Sequence, residues 1–388
     1  MIRNTVSILQ DFLAICRSKF FFKKTSGYSF AFLVHSRGHR DIYRKYPFFK
    51  FLPKWLGLWI MESLWPITLS KVTGLKNIKD GSEVKGYVLG ITMTAEQMMK
   101  KRAKALVKIR QAIHLARGKG VSLVGLGGLT SSLSGGGHEL LDIQDVNITT
   151  GHAYTAYNVT ETLFKVVDIF GVPKKKLTVG IVGAAGSVGT LSSDIVARAG
   201  YAKIVLIDVD RKLPQIRGHL HDLMKFDFKL KIEITSDIKA IKKCDLVITA
   251  TNTPEALITP DLVSDGMVIV DDAQPSDIQS DVLKMPDVLV LEAGVVHTPE
   301  VHSNFNYGLK SRTDNFCCMA ELLILASHSW NNHYVVRRAT LAHVDEISAW
   351  GKELGFTVAA FQNFQESITP EKLERVKIAF QKKHESSS

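Results

Sequence analysis

Residues 177–208 constrain the fold more than any other stretch of this chain. They read as strand, glycine-rich turn, helix, strand and acid: Leu177-Thr-Val-Gly-Ile-Val182, then Gly183-Ala-Ala-Gly186-Ser-Val-Gly189, then a run ending Lys203-Ile-Val-Leu-Ile-Asp208. A parallel strand that enters a helix through such a turn aims unpaired backbone N–H groups at a phosphate. The glycines allow the tight turn, the approach of a pyrophosphate and close helix–strand packing. A lone glycine triplet is weak evidence, but the whole βαβ context predicts dinucleotide binding. Gly183, Ala185, Gly186, Ser187, Val188 and Gly189 would surround the phosphates, and Thr251 would lie in a loop at the same end of the sheet. Asp208 sits where an adenosine ribose must lie and would accept from its hydroxyls, which favours NADH; the nearby Arg211 and Lys212 would favour NADPH instead.

With 388 residues, the chain has room for two or three domains. The pattern predicts an α/β protein: an N-terminal α/β substrate domain, a Rossmann-like doubly wound dinucleotide-binding domain, and C-terminal helices. We place the boundaries at 1–27 (a basic extension), 28–172 (substrate domain), 173–308 (Rossmann domain) and 309–388 (a mainly helical region). Residues 87–93 predict a buried strand. Thr94 and Gln97 then form a capping box, and Met98, Leu106, Ile109 and Ile113 recur at helical spacing as far as Gly118 and Gly120. A strand at 121–127, a helix from His152 to Phe170 and strands at 245–250, 266–271 and 288–292 follow, and a short strand is expected within 354–360.

Charge is unevenly placed. Residues 1–120 carry 23 Lys or Arg against 6 Asp or Glu, and the remaining 268 carry 26 against 32. Such asymmetry predicts either an acidic partner for the N-terminal part or a solvated basic face. Trp55, Trp59, Leu64 and Trp65, with Phe48, Phe49 and Phe51, gather aromatic bulk beside lysines. That cluster suits a membrane-facing cap, a core or an oligomer interface.

The apolar run Val6–Cys16 holds Asp11, and Arg17, Lys19, Lys23 and Lys24 come after it, so no signal peptide is expected. The run Trp55–Leu69, broken by Glu62 and Pro66, is too short to span a bilayer. A cytoplasmic protein, with peripheral membrane contact left open, is the expectation.

Cys16, Cys244, Cys317 and Cys318 show neither metal-ligand nor disulfide spacing, so no metal is expected and a thiol would be available in a reducing compartment. Cys318 is the candidate nucleophile. Ser311-Arg-Thr-Asp314 reads as a capping box that would put Cys318 in the first turns of a helix, where the dipole favours thiolate. The competing reading is a buried structural cysteine, and Cys244 reads as core. His152 and His297 are candidate proton donors or hydrogen-bonded structural residues.

Several ordered motifs resemble the long-chain fatty acyl-carrier-protein reductases of the cyanobacterial alkane pathway. They are His35 after Phe30-Ala-Phe-Leu-Val34, Lys71-Val-Thr-Gly74, Leu126-Gly-Gly-Leu-Thr-Ser131, Thr149-Thr-Gly-His-Ala-Tyr-Thr-Ala-Tyr157, Gly183–Gly189, Ala293-Gly-Val-Val296 and Asn315-Phe-Cys-Cys-Met-Ala-Glu321. The resemblance covers about residues 30–361. It implies reduction of a long-chain acyl-carrier-protein or acyl-CoA thioester to fatty aldehyde with NADPH, through an acyl-cysteine at Cys318, and no nucleic-acid partner. The chain departs from that pattern at Asp208-Val209 and in its extensions, residues 1–27 and those beyond 363. A dehydrogenase of a smaller substrate with no acyl-cysteine, in the manner of the two-domain shikimate dehydrogenases, shares the layout. A non-catalytic nucleotide- and lipid-binding sensor is the reading from a different class.

Overall fold

The computed structural model describes residues 2–18, 28–36, 43, 46–253, 255–273, 275–304 and 308–385. Lys19, Lys23, Lys24 and the end of the polar tail lie outside these residues. The chain divides into two compact units. One comprises Met1–Gly151, Thr298–Arg338 and Ala349–Phe356; the other comprises His152–His297, Ala339–Ser348 and Thr357–Ser388.

The first unit is built on a six-stranded mixed sheet. Its strands are β1 (Ser29–Ser36), β2 (Ile67–Thr73), β3 (Lys85–Thr94), β4 (Leu123–Leu126), β5 (Asn147–Thr149) and, from the later segment, β13 (His302–Ser303). Their order is β13-β2-β3-β1-β4-β5. β1 runs parallel to β3 and β4, and β2 runs antiparallel to β3. β3 is buried at every residue from Val88 to Thr94, so it shows an unbroken apolar run and not an alternating one.

The capping box at Thr94 and Gln97 forms. The helix it opens covers only Ala95–Lys100, because Lys101 leaves helical geometry at φ −125 and ψ 56, and a second helix runs Arg102–Gly118. Ile109, Ala112, Ile113 and Ala116 of that second helix pack into the core with Leu33, Leu89 and Val124.

The second unit is built on an all-parallel sheet. Its strands are β6 (Thr178–Val182), β7 (Lys203–Ile207), β8 (Lys231–Thr235), β9 (Leu246–Thr249), β10 (Val268–Asp271) and β11 (Leu289–Glu292). Their order, β11-β10-β9-β6-β7-β8, reverses direction between β6 and β9. This is the doubly wound Rossmann arrangement, whose ligand lies outside the carboxyl ends of the strands at that reversal. The core pairs β6, β9 and β10 with Val159, Leu163 and Val166 of the helix His152–Phe170. Phe380, on the C-terminal helix Pro370–Glu385, stacks edge-on against Phe170 at 5.1 Å.

Further helices lie at Cys317–Ser327 and Leu341–Glu353 in the C-terminal region. The short strand β12 (Val295–His297) pairs antiparallel with the two-residue β15 (Thr357–Val358). No capping box forms at 311–314. Asp314–Phe316 is the short strand β14 instead, and the helix begins at Cys317 with Phe316 as an uncapped N-cap. The reason is local: Thr298 N–H donates to Thr313 at 2.8 Å and Asn315 Nδ2 to the Thr298 hydroxyl at 2.6 Å, which holds the segment straight.

Candidate dinucleotide site

The turn between β6 and the helix Ser187–Arg198 is built by steric exclusion. Gly183 has φ +83, and a Cβ there would lie 2.6 Å from the Ala250 carbonyl oxygen. A Cβ on Gly189 would lie 2.2 Å from the Gly183 oxygen, so only glycine lets the first helical turn close onto the strand end. Gly186 is the helix N-cap, and its amide donates to Gly183 at 2.9 Å. The amides of Ser187, Val188 and Gly189 open this helix and have no intrahelical acceptor. Its first turn contains no acidic residue, so an anion meets the positive end of the dipole without opposition from a carboxylate.

The rest of the turn is held from behind. Ala184 N–H bonds to Ile207 at 3.2 Å, the Thr190 hydroxyl to Ala184 at 2.9 Å and Gln215 Nε2 to Ala185 at 2.9 Å. Asp208 joins this clamp. One carboxylate oxygen accepts from the Ala185 amide at 2.9 Å and the other from the Val209 amide at 2.8 Å, and Lys212 Nζ stands 3.5 Å away. Sequence reasoning placed Asp208 at the ribose and did not show that it braces the glycine turn. Arg211, in the short turn Asp210–Lys212, is exposed.

Thr251, at the carboxyl end of β9, brings its methyl group to 3.2 Å from the Cβ position of Gly183. Its hydroxyl donates to Asp277 at 2.6 Å. This contact leads to a carboxyl cluster that sequence reasoning missed. Asp271 is fully buried and accepts from the Thr249 hydroxyl at 2.5 Å, the Ala273 amide at 2.9 Å and the Ser276 hydroxyl at 2.6 Å. Burial outweighs those bonds and raises its pKa to about 6. Desolvation also pushes Asp272 and Asp277 above the ordinary carboxyl range. The Asp271-Asp272 pair directly after an apolar strand was the available signal.

In the other unit, Cys318 is half-buried in the first turn of the helix Cys317–Ser327. Gly151, at φ +79, is packed so closely that a Cβ on it would lie 2.4 Å from both Cα and Cβ of Cys318. The fully buried Glu321 accepts from the Gly151 amide at 3.0 Å and from the Thr149 hydroxyl. Cys317 is buried, and Cys244 lies in the Rossmann core, where burial raises its thiol to about 12. His152 opens the long helix, and burial holds its imidazole at about 4, neutral at physiological pH. His297 lies half-buried in β12. No group of three or more His, Cys, Asp or Glu among the described residues is arranged to hold a metal ion.

The aromatic cluster splits. Phe49 is buried and Trp65 donates to the Ile8 carbonyl at 2.8 Å, whereas Phe51, Trp55 and Trp59 stand exposed. Among the described residues no helix is long and apolar enough to cross a membrane.

Comparison with known proteins corrects the acyl-reductase resemblance. Residues 166–293, which contain the Rossmann strands, match the family model of shikimate / quinate 5-dehydrogenase. The chain is 25% identical over 329 residues to the aminotransferase PigE of Serratia sp. (strain ATCC 39006), covering 82% of this chain and 37% of that protein. It therefore spans little more than a third of the length of that relative. Among solved structures, quinate dehydrogenase from Corynebacterium glutamicum with NAD aligns over 84% of this chain and 99% of its own, at 9% identity and a TM-score of 0.36. The NAD-dependent malic enzyme of Thermotoga maritima aligns over 91% and 84%, at 8% identity and a TM-score of 0.41.

The matched family acts on shikimate or quinate by its own description, not on acyl-carrier protein, acyl-CoA or fatty aldehyde. The assignment to aldehyde-forming thioester reductases, with its long-chain acyl partners, is therefore withdrawn. The physical reason is that glycine- and threonine-rich loops at strand ends recur in many α/β nucleotide enzymes, so their order alone does not identify a substrate. The chain has a mixed α/β fold with a Rossmann unit.

Proposed function

We propose that this protein is a dehydrogenase that moves a hydride between a small polar hydroxy compound and NAD(H). The turn at Gly183–Gly189 carries the reading. Its glycines let the strand end close onto the helix start, and the amides of Ser187 and Val188 stand at that helix start with no intrahelical acceptor. When bound, the dinucleotide supplies a carbon that accepts hydride as a substrate alcohol becomes a ketone, and the hydroxyl proton leaves to solvent or a base.

This chain's residues fix the dinucleotide. The helix N-terminus neutralises phosphate charge, and the clamp through Asp208, Gln215 and Thr190 keeps the turn in its binding shape before any ligand arrives. The Asp208 carboxylate beside the ribose position disfavours a 2′-phosphate, which supports NAD(H) over NADP(H). The match to the shikimate / quinate dehydrogenase model supports a substrate of that size and polarity. Cys318, on this reading, is a packing residue against Gly151 and forms no covalent intermediate.

The test is direct. Purified protein is given shikimate, quinate and a panel of small hydroxy acids with NAD+ or NADP+, and the absorbance of reduced nicotinamide is followed. Reduction of NAD+ by a small hydroxy compound supports the reading. Absence of dinucleotide binding by calorimetry would sink it, as would turnover of the panel that depends on Cys318.

A further inference from the structure

We infer that the first unit carries a docking surface for an anionic lipid bilayer, formed by the turn Pro47–Phe51 and the helix Lys54–Ser63. Trp55 and Trp59 lie four residues apart on the helix, which places them in one stripe, and Phe51 ends the turn that precedes it. Phe51, Trp55 and Trp59 are 89%, 70% and 62% exposed. The opposite side of the helix is spoken for, since Gly57 and Met61 are buried there. The outward aromatic rings are therefore not core residues that rolled out of place.

Isolated exposed apolar side chains are ordinary on protein surfaces, but two exposed indoles in one helical stripe, with a third exposed ring on the adjoining turn, are a grouping of the kind that marks an interaction site. Indole rings favour the boundary between lipid headgroups and acyl chains, where one end of the ring is wet and the other apolar.

The charge around the stripe selects the partner. Lys50 and Lys54 lie on the same turn and helix and are exposed. Lys101 and Lys104 approach from the neighbouring helix, and both pair with the single buried Glu62, at 2.7 and 2.8 Å, so a positive charge is left over. The first 120 residues carry 23 Lys or Arg against 6 Asp or Glu. A second copy of the chain would bring like charge against like charge, whereas anionic headgroups complement this face. Aromatic insertion with basic residues alongside is how peripheral proteins bind lipid without spanning it.

Flotation of the full-length protein with vesicles tests the inference. The protein should float with vesicles of phosphatidylcholine and phosphatidylglycerol, should bind phosphatidylcholine alone much less, and should be released by high salt. Brominated acyl chains should quench its tryptophan fluorescence in the anionic vesicles. The double substitution Trp55→Ser, Trp59→Ser should weaken partitioning by at least about tenfold. Because loss of both rings also changes local packing, the pair Lys50→Glu, Lys54→Glu is made separately; it should weaken binding by a similar factor with an unchanged circular dichroism spectrum. Failure to float with anionic vesicles overturns the inference, as does binding that neither pair reduces. Sedimentation that shows a dimer dissolved by the tryptophan substitutions, without vesicle binding, also overturns it and assigns the stripe to a second copy.

Discussion

Asp208 accepts a hydrogen bond from the backbone amide of Ala185 at 2.9 Å, so the acid that ends β7 and the glycine turn that follows β6 form one bonded unit. A charged acceptor on a backbone N–H is worth about 1.5–3 kcal/mol when its partner would otherwise be stranded. The acid thus braces the turn that, on the proposed reading, receives the phosphates, and on that reading it also faces the ribose. Asp208→Ala is expected to weaken binding of NADH by about tenfold or more, through the loosened turn. Asp208→Asn keeps one acceptor and removes the charge, so NADH should lose affinity only modestly while NADPH gains. Calorimetric titration of both dinucleotides into both variants checks this, and an unchanged NADH-to-NADPH ratio in Asp208→Asn would refute the ribose placement.

Glycines within this unit separate binding from folding. Gly189→Val would drive a side chain into the Gly183 carbonyl, 2.2 Å from its Cβ, and should abolish dinucleotide binding. Gly218, inside the helix Leu213–Met224, has nothing within 4 Å of its Cβ position and does not have positive φ. Gly218→Ala should leave binding unchanged and raise stability by up to about 1 kcal/mol, because alanine is the better helix former. Thermal unfolding alongside cofactor titration distinguishes the two.

The contrast between those glycines shows what was legible in the sequence. The turn at 183–189 could be read because each glycine meets a steric demand that no other residue satisfies. The apolar β3, β6, β9, β10 and β11 could be read because buried parallel strands are continuous apolar runs. β8 was missed because none of its five residues is fully buried, and β5 because it is only three residues long. The Asp208 clamp reaches across 23 residues of sequence and depends on the parallel pairing of β6 with β7, so no local pattern announces it. The carboxyl cluster was missed for the same reason: Thr249, Thr251, Asp271 and Asp277 meet only once β9 and β10 lie side by side.

That cluster has a pH signature. Asp271 is raised from 3.8 to about 6 in the folded protein, so folding retains its proton. Its contribution to stability is therefore fully present below about pH 4 and is lost as pH rises through about 6. The size is about 3 kcal/mol. Asp272 and Asp277 are raised in the same direction and reinforce it. Asp271→Asn should flatten this dependence, so that the variant gains stability relative to the parent between about pH 4 and 6. Chemical denaturation of both proteins across that range is the measurement, and parallel curves would refute the assignment.

Cys318 gives the sharpest separation of chemistry from packing. It stands in a helix first turn, where a thiolate would be favoured, yet its Cα and Cβ are pressed against the Gly151 backbone, which Glu321 holds through the amide at 3.0 Å. If Cys318 only packs there, Cys318→Ser should retain hydride transfer within about threefold of the parent, since the substitution is close to isosteric and removes no ligand contact. Gly151→Ala should be far more damaging, because its φ of +79 already disfavours a side chain and the added Cβ would sit 2.4 Å from Cys318. Glu321→Ala strands a buried amide and a buried hydroxyl and should cost about 2–4 kcal/mol of stability. Denaturation midpoints rank the three variants, and steady-state rates are then compared only for those that fold. A Cys318→Ser protein with parental stability and no turnover would return the thiol to the chemistry and remove the packing account.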